Sequence, residues 1–537
     1  MTHLLHERVS RAVEPHGEAT AIVSARQSMT YAEVGALSSR VAHALVEAGC
    51  RSGDRVGLLL AKSPETIAAM IGVLKAGCAY VPVDLASPAS RAARILSRAD
   101  VRVVFVDNAT AALLDGVYEE GGISAPATIG TTGEPIDSRR FQTTFDATTI
   151  SRFAETPPQV SVRSEDPAHI LFTSGSTGEP KGVIVTHGNV STFLDWALPA
   201  FDIRSTDRLS SHPPLHFDLS TFDVYGALTS GAALYLVEPQ LNLSPHALAR
   251  FIGESALTQW FSVPSVMTFL ASFDAVPNGG WPALERVLFC GEVLPTRVLR
   301  HWMECVPHAT FTNLYGPTEA TIASSYHTFS TPPVDDSSPI PIGIACEGEE
   351  LLVLDSELEP VPQDEVGELY IGGVGLSPGY WRDEEKTGSS FVPDPRDSAG
   401  RLYRTGDLAR VGKDGLLYFV GRVDSQIKSR GYRIELGEIE AALNAIESVR
   451  ECGVVAIAST GFEGAQIGCA YSLTSSSQAT SLDLRAQAAH SLPRYMLPTR
   501  WLQLSELPKN MNGKIDRPRI RELLVEISET GTHAGGA

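Results

Sequence analysis

The stretch LFTSGSTGEPKGV at residues 171–183 decides how this chain is built. Gly175, Gly178 and Gly182 let the backbone approach an anion closely, while Thr173, Ser174, Ser176 and Thr177 supply hydroxyl donors. Lys181 adds a point charge, so the stretch reads as a phosphate-cradling nucleotide loop. A P-loop of the GxxxxGK(S/T) kind does not fit. Lys181 lies between Pro180 and Gly182, and no Ser or Thr follows it to hold Mg2+. The apolar runs 168–172 and 183–186 flank the loop as strands, which predicts a hairpin tip instead of a strand-to-helix turn.

Upstream, Ile67, Met70, Ile71 and Leu74 recur at helical spacing up to Gly77, and 79–83 reads as a buried strand. Residues 123–167, rich in Thr, Ser, Pro and charge, read as a long surface connection without a domain boundary. Downstream, 367–420 is rich in strand patterns, and charge and glycine cluster at 421–431, which reads as a linker. A helix over 434–446 and strands at 454–457 and near 467–473 then predict a small α+β domain. The expected architecture is α/β: a large N-terminal region of several subdomains, residues 1–423, with β-sheets packed by helices, and a small mobile domain, residues 424–537.

The 537 residues carry 43 basic and 63 acidic side chains, a formal charge of −20, which disfavours nonspecific nucleic-acid or anionic-membrane binding. A hydrophobic content of 43% supports large cores. The N-terminus breaks its apolar residues with charges and no apolar run is long enough to span a bilayer, so a cytoplasmic location is expected. Seven cysteines, at 50, 78, 290, 305, 346, 452 and 469, form no CxxC pair and indicate neither a zinc site nor a disulfide framework.

Further motifs follow in order: MTYAEV (29–34), LKAGCAYVPVD (74–84), HFDLSTFD (216–223), NLYGPTEAT (313–321), GELYIGGVGLSPGYW (367–381), YRTGD (403–407), GRVDSQIKSRGYRIELGEIE (421–440), LPRYMLP (492–498) and NGKIDR (512–517). With the nucleotide loop they cover nearly the whole chain. The chain thus resembles the amino-acid adenylation domains of the superfamily that also holds acyl- and aryl-CoA synthetases and luciferases. The resemblance implies that ATP and an amino acid form an aminoacyl adenylate, and that the acyl group then passes to a phosphopantetheine thiol.

Physical readings accompany the motifs. The Tyr315 ring can stack on adenine, Asn313 can bond its edge, and Gly316 continues the turn. Thr318 and Glu319 offer oxygens suited to Mg2+. Asp407 can accept both ribose hydroxyls, and Arg422 can reach ribose or phosphate as a fork donor. By resemblance, Lys514 is the catalytic lysine that stabilises charge on the α-phosphate and the attacking carboxylate, beside Lys181, Thr318 and Glu319. Asp424 falls at the family's hinge position. Rotation about it is expected to replace Lys514 with residues 428–432, Gly431 admitting the pantetheine arm.

Asp218 resembles the aspartate that pairs with the substrate ammonium in amino-acid-activating members, the other reading being a helix N-cap. Aligned motifs give the remaining walls as Leu219, Phe222, Ser262, Leu288, Cys290, Leu314, Ile322 and Ala323, an uncharged set suited to a small amino acid. FCGEVLP at 289–295 further resembles D-alanine:carrier-protein ligases, so D-alanine is expected first, ahead of L-alanine, cysteine, glycine and proline. No carrier-domain motif follows Arg517, so a separate carrier protein is the expected partner. An acyl-CoA synthetase using free CoA and a non-catalytic nucleotide-binding protein are the rival readings. Asp218 argues against the first, and Lys181, Glu319, Asp407 and Lys514 against the second.

Overall fold

The computed structural model describes residues 4–122, 128–136, 143–175, 179–424, 426–457, 465–474, 477–509 and 515–530, and the elements below are those of the described residues. Two large sheets carry the N-terminal part. One has six strands in the order Thr128–Gly130, Val101–Val106, Arg55–Leu59, Ala79–Pro82, Pro167–Thr173 and Lys181–Thr186, parallel except for the last. The other has nine, in the order Ile344–Ala345, Ser325–Phe329, Thr310–Tyr315, Arg286–Cys290, Gln259–Ser262, Arg208–Ser211, Ala233–Leu236, Thr20–Val23 and Ser28–Thr30. Its six central strands from Thr310–Tyr315 to Thr20–Val23 are parallel, with antiparallel strands at both edges. Parallel strands must be covered on both faces, which is why some of them, such as Val101–Val106 and Ala79–Pro82, read as nearly continuous apolar runs.

The helix Pro64–Lys75 shows how local signals and packing agree. Ser63 caps it by accepting from Thr66 N–H, Pro64 sits in the first turn, and Gly77 leaves it with φ +72°. The helix is buried on nearly all sides and meets the helix Tyr31–Glu47 at Gly72. A β-carbon there would lie 2.7 Å from the Ser38 carbonyl oxygen and from Val41 Cγ1. Lys75, buried at the helix end, donates to the Gly35 carbonyl and the Ser38 and Ser39 hydroxyls.

The nucleotide loop is a hairpin tip, as expected: Pro167–Thr173 and Lys181–Thr186 pair antiparallel, the ladder ending at Thr173 opposite Lys181. The outer edge of Lys181–Thr186 is covered by the segment 379–381, Trp381 N–H bonding the Gly182 carbonyl and Ile184 N–H the Gly379 carbonyl. A five-stranded antiparallel sheet, Glu349–Leu354, Gly367–Gly373, Asp397–Val411, Phe391–Asp394 and Leu417–Arg422, occupies the strand-rich region.

Two expectations are corrected. Residues 123–167 are not wholly a surface connection, because Thr128–Gly130 pairs with Val101–Val106 and joins the six-stranded sheet. The expected linker 421–431 is mostly strand: Leu417–Arg422 runs into it and Gln426–Ser429 forms a hairpin with Tyr432–Glu435, so the helix begins at Leu436 and not at Ile434. Charge and glycine there mark a two-stranded ribbon, which reads in sequence like a loop. Beyond it stand the three-stranded sheet Val449–Ile457, Gln466–Leu473 and Arg500–Gln503 and its helices, a small C-terminal domain. Its two buried clusters draw only on residues 427–525, and the other clusters only on residues up to 419. All seven cysteines are free and buried, and no described helix is long and apolar enough to cross a membrane.

The Gly72 contact gives a stability prediction. Gly72→Ala should lower stability by about 1–3 kcal/mol through overpacking, read as a reduced midpoint in denaturant unfolding. An unchanged or raised midpoint would show that the two helices can part without cost.

Candidate active site

The parallel strands of the nine-stranded sheet end at Ser211, Ser262, Cys290 and Tyr315, and the site lies beyond these carboxyl ends, where open α/β sheets bind ligands. Lys62, half-buried, donates to the Ser211 carbonyl at 2.6 Å and the Pro213 carbonyl at 2.7 Å, pinning the loop that leads to Asp218. Sequence reasoning gave Lys62 no part.

Asp218 occupies the N-cap position of the helix Leu219–Ser230, yet its side chain makes no cap hydrogen bond. Its Oδ2 instead accepts from Thr318 Oγ1 at 2.6 Å, so the carboxylate faces the cleft. Burial pushes this carboxyl up, and the Thr318 hydrogen bond partly opposes that. Cys290, at the end of its strand, is fully buried. Burial first, and then the Asp218 charge, pushes its thiol up to about 12, so it stays neutral at ordinary pH. Leu219 and Cys290 line the cavity of about 110 Å³ that contains Asp218.

The other expected walls do not open onto that cavity. Phe222, Leu288, Ile322 and Ala323 pack behind it in the same buried cluster as Leu219, Cys290 and Leu314, with Phe222 edge-on to Phe193 and Phe261. Ser262 accepts the Trp260 indole N–H at 2.9 Å, and Leu314 borders the neighbouring larger cavity. Thr321 and Ile322, which close the turn after YGPTE, both have positive φ, 57° and 72°. This conformation is costly for β-branched side chains. Thr321 Oγ1 donating to the Gly375 carbonyl at 2.7 Å and Ser324 N–H bonding the Tyr315 carbonyl hold it.

On the phosphate side, Thr173 ends its strand with Oγ1 buried and without a hydrogen-bond partner among the described residues. Ser174 Oγ donates to the Arg433 carbonyl at 2.6 Å. Gly175 is needed because a β-carbon there would stand 2.1 Å from the Glu179 carbonyl oxygen. Ser176, Thr177, Gly178 and Lys514 lie outside the described residues.

Lys181 Nζ donates to Glu319 Oε1 at 3.1 Å, Tyr380 OH to the same oxygen at 2.8 Å, and Arg433 Nη1 to Oε2 at 2.7 Å. Burial alone would raise the fully buried Glu319 carboxyl, but Arg433 and Lys181 hold it well below the usual carboxylate range. Burial and then Arg433 push the Lys181 amine down to about 8, against the pull of Glu319. The expected Mg2+ ligands are engaged with protein groups in this arrangement: both Glu319 oxygens accept from protein donors and the Thr318 hydroxyl donates to Asp218.

Around the residues expected to hold adenine, a cavity of about 580 Å³ is lined by Asn313, Tyr315, Asp407, Arg422, Asp424 and Lys428, among others. Asn313 Nδ2 donates to the Pro341 carbonyl at 2.7 Å. Gly316 fits under Ala323, whose Cα would be 2.6 Å from an added β-carbon. Tyr315 OH donates to Asp407 at 2.5 Å, and Lys428 Nζ lies over the Tyr315 ring, 5.7 Å from its centre, on the platform expected for adenine. Arg422 donates to Asp407 and grips both oxygens of Asp424 at 2.8 Å. Asp407 and Asp424, the residues expected at ribose and hinge, therefore share one guanidinium.

Arg433 and Lys428 come from the hairpin Gln426–Ser429/Tyr432–Glu435, which reaches into the cleft through its tight turn. Gly431, φ +82°, donates its N–H to Glu292 Oε1 at 2.8 Å, and Glu292 Oε2 accepts from Ser265 N–H at 3.0 Å. Glu292, Tyr380 and Arg433 were missed as site residues. Each lies inside a quoted motif, FCGEVLP, SPGYW or SRGYRIE, so motif membership was the available signal.

Comparison with known proteins agrees with this geometry. Residues 9–381 match the AMP-binding enzyme family and residues 438–514 its C-terminal domain. The L-proline–(L-prolyl-carrier protein) ligase of Streptomyces coelicolor is 35% identical over 92% of this chain and 91% of its own length. The ligase of the same name from Pseudomonas fluorescens is 32% identical over 96% and 98%. A dimodular nonribosomal peptide synthase of Bacillus subtilis is 36% identical over 92% of this chain, the match spanning 20% of that protein. Among solved structures, the Vibrio cholerae adenylation domain AlmE in complex with glycyl-adenosine-5'-phosphate superposes with a TM-score of 0.84, at 26% identity, covering 98% of both chains. The chain belongs to the AMP-binding enzyme family. Within it, it is an amino-acid-adenylating ligase.

The buried cluster yields a pH prediction. The folded Lys181 value lies below the unfolded one, so protonating Lys181 opposes folding below about pH 8, and stability rises toward the unfolded value of 10.5. Arg433→Gln removes the neighbouring positive charge and should raise the Lys181 value above about 8, read by pH-dependent labelling of its amine. A lower value in the variant would contradict the placement of Arg433.

Proposed function

We propose that the protein adenylates a small neutral amino acid and transfers it to the phosphopantetheine thiol of a carrier protein. In the first step the amino-acid carboxylate attacks the α-phosphorus of ATP, forming the acyl–phosphate bond as pyrophosphate leaves. In the second, the carrier thiol loses its proton and its sulfur attacks the acyl carbon, releasing AMP. Asp218 receives the substrate ammonium, and Lys514 and Lys181 stabilise the phosphate charge of the first step. The observation that carries this reading is the Asp218 carboxylate, turned away from its own helix and into a cleft between Thr318 and Cys290.

The arrangement described supports the second step. The hairpin carrying Lys428, Gly431 and Arg433 fills the cleft, and Lys428 covers the ring that would receive adenine. We take residues 424–537 as the mobile body and Asp424 as its hinge, with Arg422 gripping both Asp407 and Asp424.

For the substrate, the two full-length proline ligases and the glycyl-adenylate structure favour proline and glycine. A secondary ammonium pairs with Asp218 as a primary one does, and a pyrrolidine ring suits uncharged walls. Proline therefore stands first, and D-alanine, favoured by the FCGEVLP motif, is the second reading.

ATP–pyrophosphate exchange with proline, glycine, both alanines and cysteine tests this. Proline should give the highest kcat/KM, and Asp218→Ala should abolish use of every amino acid; full activity of that variant would undo the amino-acid assignment. If D-alanine exceeds proline, Cys290→Ala should raise L-alanine use relative to D-alanine by roughly 5- to 150-fold, as relief of an overpacked contact. Lys514→Ala should lower exchange by roughly 10²-fold or more while transfer from a supplied adenylate persists. Equal loss of both steps would remove Lys514 from its assigned role.

A further inference from the structure

The helix Ala89–Ala99 packs with the N-terminal cores and the helix Leu436–Asn444 with the C-terminal one. They meet through an ion pair, Arg91 Nη1 donating to Glu438 Oε1, with the two side chains only 5% and 2% exposed. Ser90 Oγ also donates to the His490 carbonyl at 2.6 Å, and Arg94 Nη2 to the Ser491 carbonyl at 3.3 Å. Glu438 Oε2 is buried without a hydrogen-bond partner among the described residues.

A pair this deeply buried adds little net stability, because the loss of hydration offsets its attraction. Its two halves belong to bodies with separate cores, so it is complete only when the bodies are docked as described. Once they part, both charges return to water. A half-pair behaves differently: docking would then bury one charge with no counter-charge, at a cost that favours the undocked state by ~10²-fold or more. Arg91 cannot escape this by losing its proton.

We infer that Arg91 and Glu438 form a lock specific to this docked arrangement, with Glu438 a positioning residue for thiol transfer and not for adenylation. The inference rests on the two-step reading above. The lock holds the hairpin in the cleft only while both charges are present, and it accepts replacement by two apolar side chains but not by one.

The test uses the full chain with cysteines introduced at Val334 and Leu482, 91% and 75% exposed, for a dye pair; the native cysteines are buried and stay unlabelled. Glu438→Gln should lower the docked population by interdomain energy transfer. It should slow acyl transfer to free pantetheine by ~10²-fold and leave ATP–pyrophosphate exchange unchanged, using the amino acid fastest in that exchange. Arg91→Met/Glu438→Leu together should restore docking and transfer. Unchanged energy transfer and pantetheine loading in Glu438→Gln, or a double variant worse than Glu438→Gln, would overturn the lock. Failure of the unmutated protein to load pantetheine or to exchange pyrophosphate would instead overturn the functional reading beneath it.

Discussion

A carboxylate with no access to water must be neutralised by the protein, and Glu319 imposes that demand at the centre of this molecule. Three separate parts of the chain answer it. Lys181 comes from the edge strand of the six-stranded sheet, Tyr380 from the segment that covers that strand, and Arg433 from the C-terminal hairpin. Because the third contribution comes from the C-terminal body, the charge balance of the site depends on how the two parts of the chain are docked. Withdrawing the hairpin leaves Glu319 with Lys181 as its one cation among the contacts described. A carboxylate in that condition has an oxygen to offer to something else. The same residue can thus be a closed ion-pair centre in one arrangement and an open oxygen donor in another, without any change in its own position.

Much of this was legible in the sequence where local chemistry leaves little choice. The hairpin tip at 171–183 followed from apolar runs on both sides of a glycine-rich stretch, and the helix after Ser63 from its cap, its proline and its spacing. Asp218 was readable as a cleft carboxylate or as a helix cap, and only geometry could separate the two, since both place the residue at the same N-cap position. The linker was misjudged because a two-stranded ribbon of charged residues around Gly431 has the composition of a loop. Lys62, Glu292 and Arg433 act through contacts 139 to 151 or 114 residues away in sequence, and no local pattern announces such partners. The wall residues were assigned by motif, and a pocket lined by them was anticipated. That Phe222, Leu288 and Ile322 would be packed shut was not, because side-chain packing depends on Phe193 and Phe261 from other elements.

The nucleotide side shows a related economy. Asp407 and Asp424 would repel each other at close range, and Arg422 between them removes that repulsion while joining the end of the five-stranded sheet to the start of the C-terminal body. The Tyr315 hydroxyl on Asp407 extends the same connection to the nine-stranded sheet. Two sheets therefore converge on the Asp407 carboxylate, and a group from each fixes its orientation.

The backbone at Thr321 and Ile322 links core packing to conformational freedom. Two neighbouring β-branched residues held at positive φ carry a cost of order 1–3 kcal/mol each, offset by the Gly375 contact and by the buried packing of Ile322. Glycine at 322 would relieve that strain and thin the packing behind the Asp218 cavity in one stroke, so any gain in volume would come with a looser turn beside Glu319. Exchanging Ile322 for another branched side chain keeps the turn rigid but leaves the strain in place. Any change of side chain at this position is therefore constrained by the main chain as much as by the space the side chain fills.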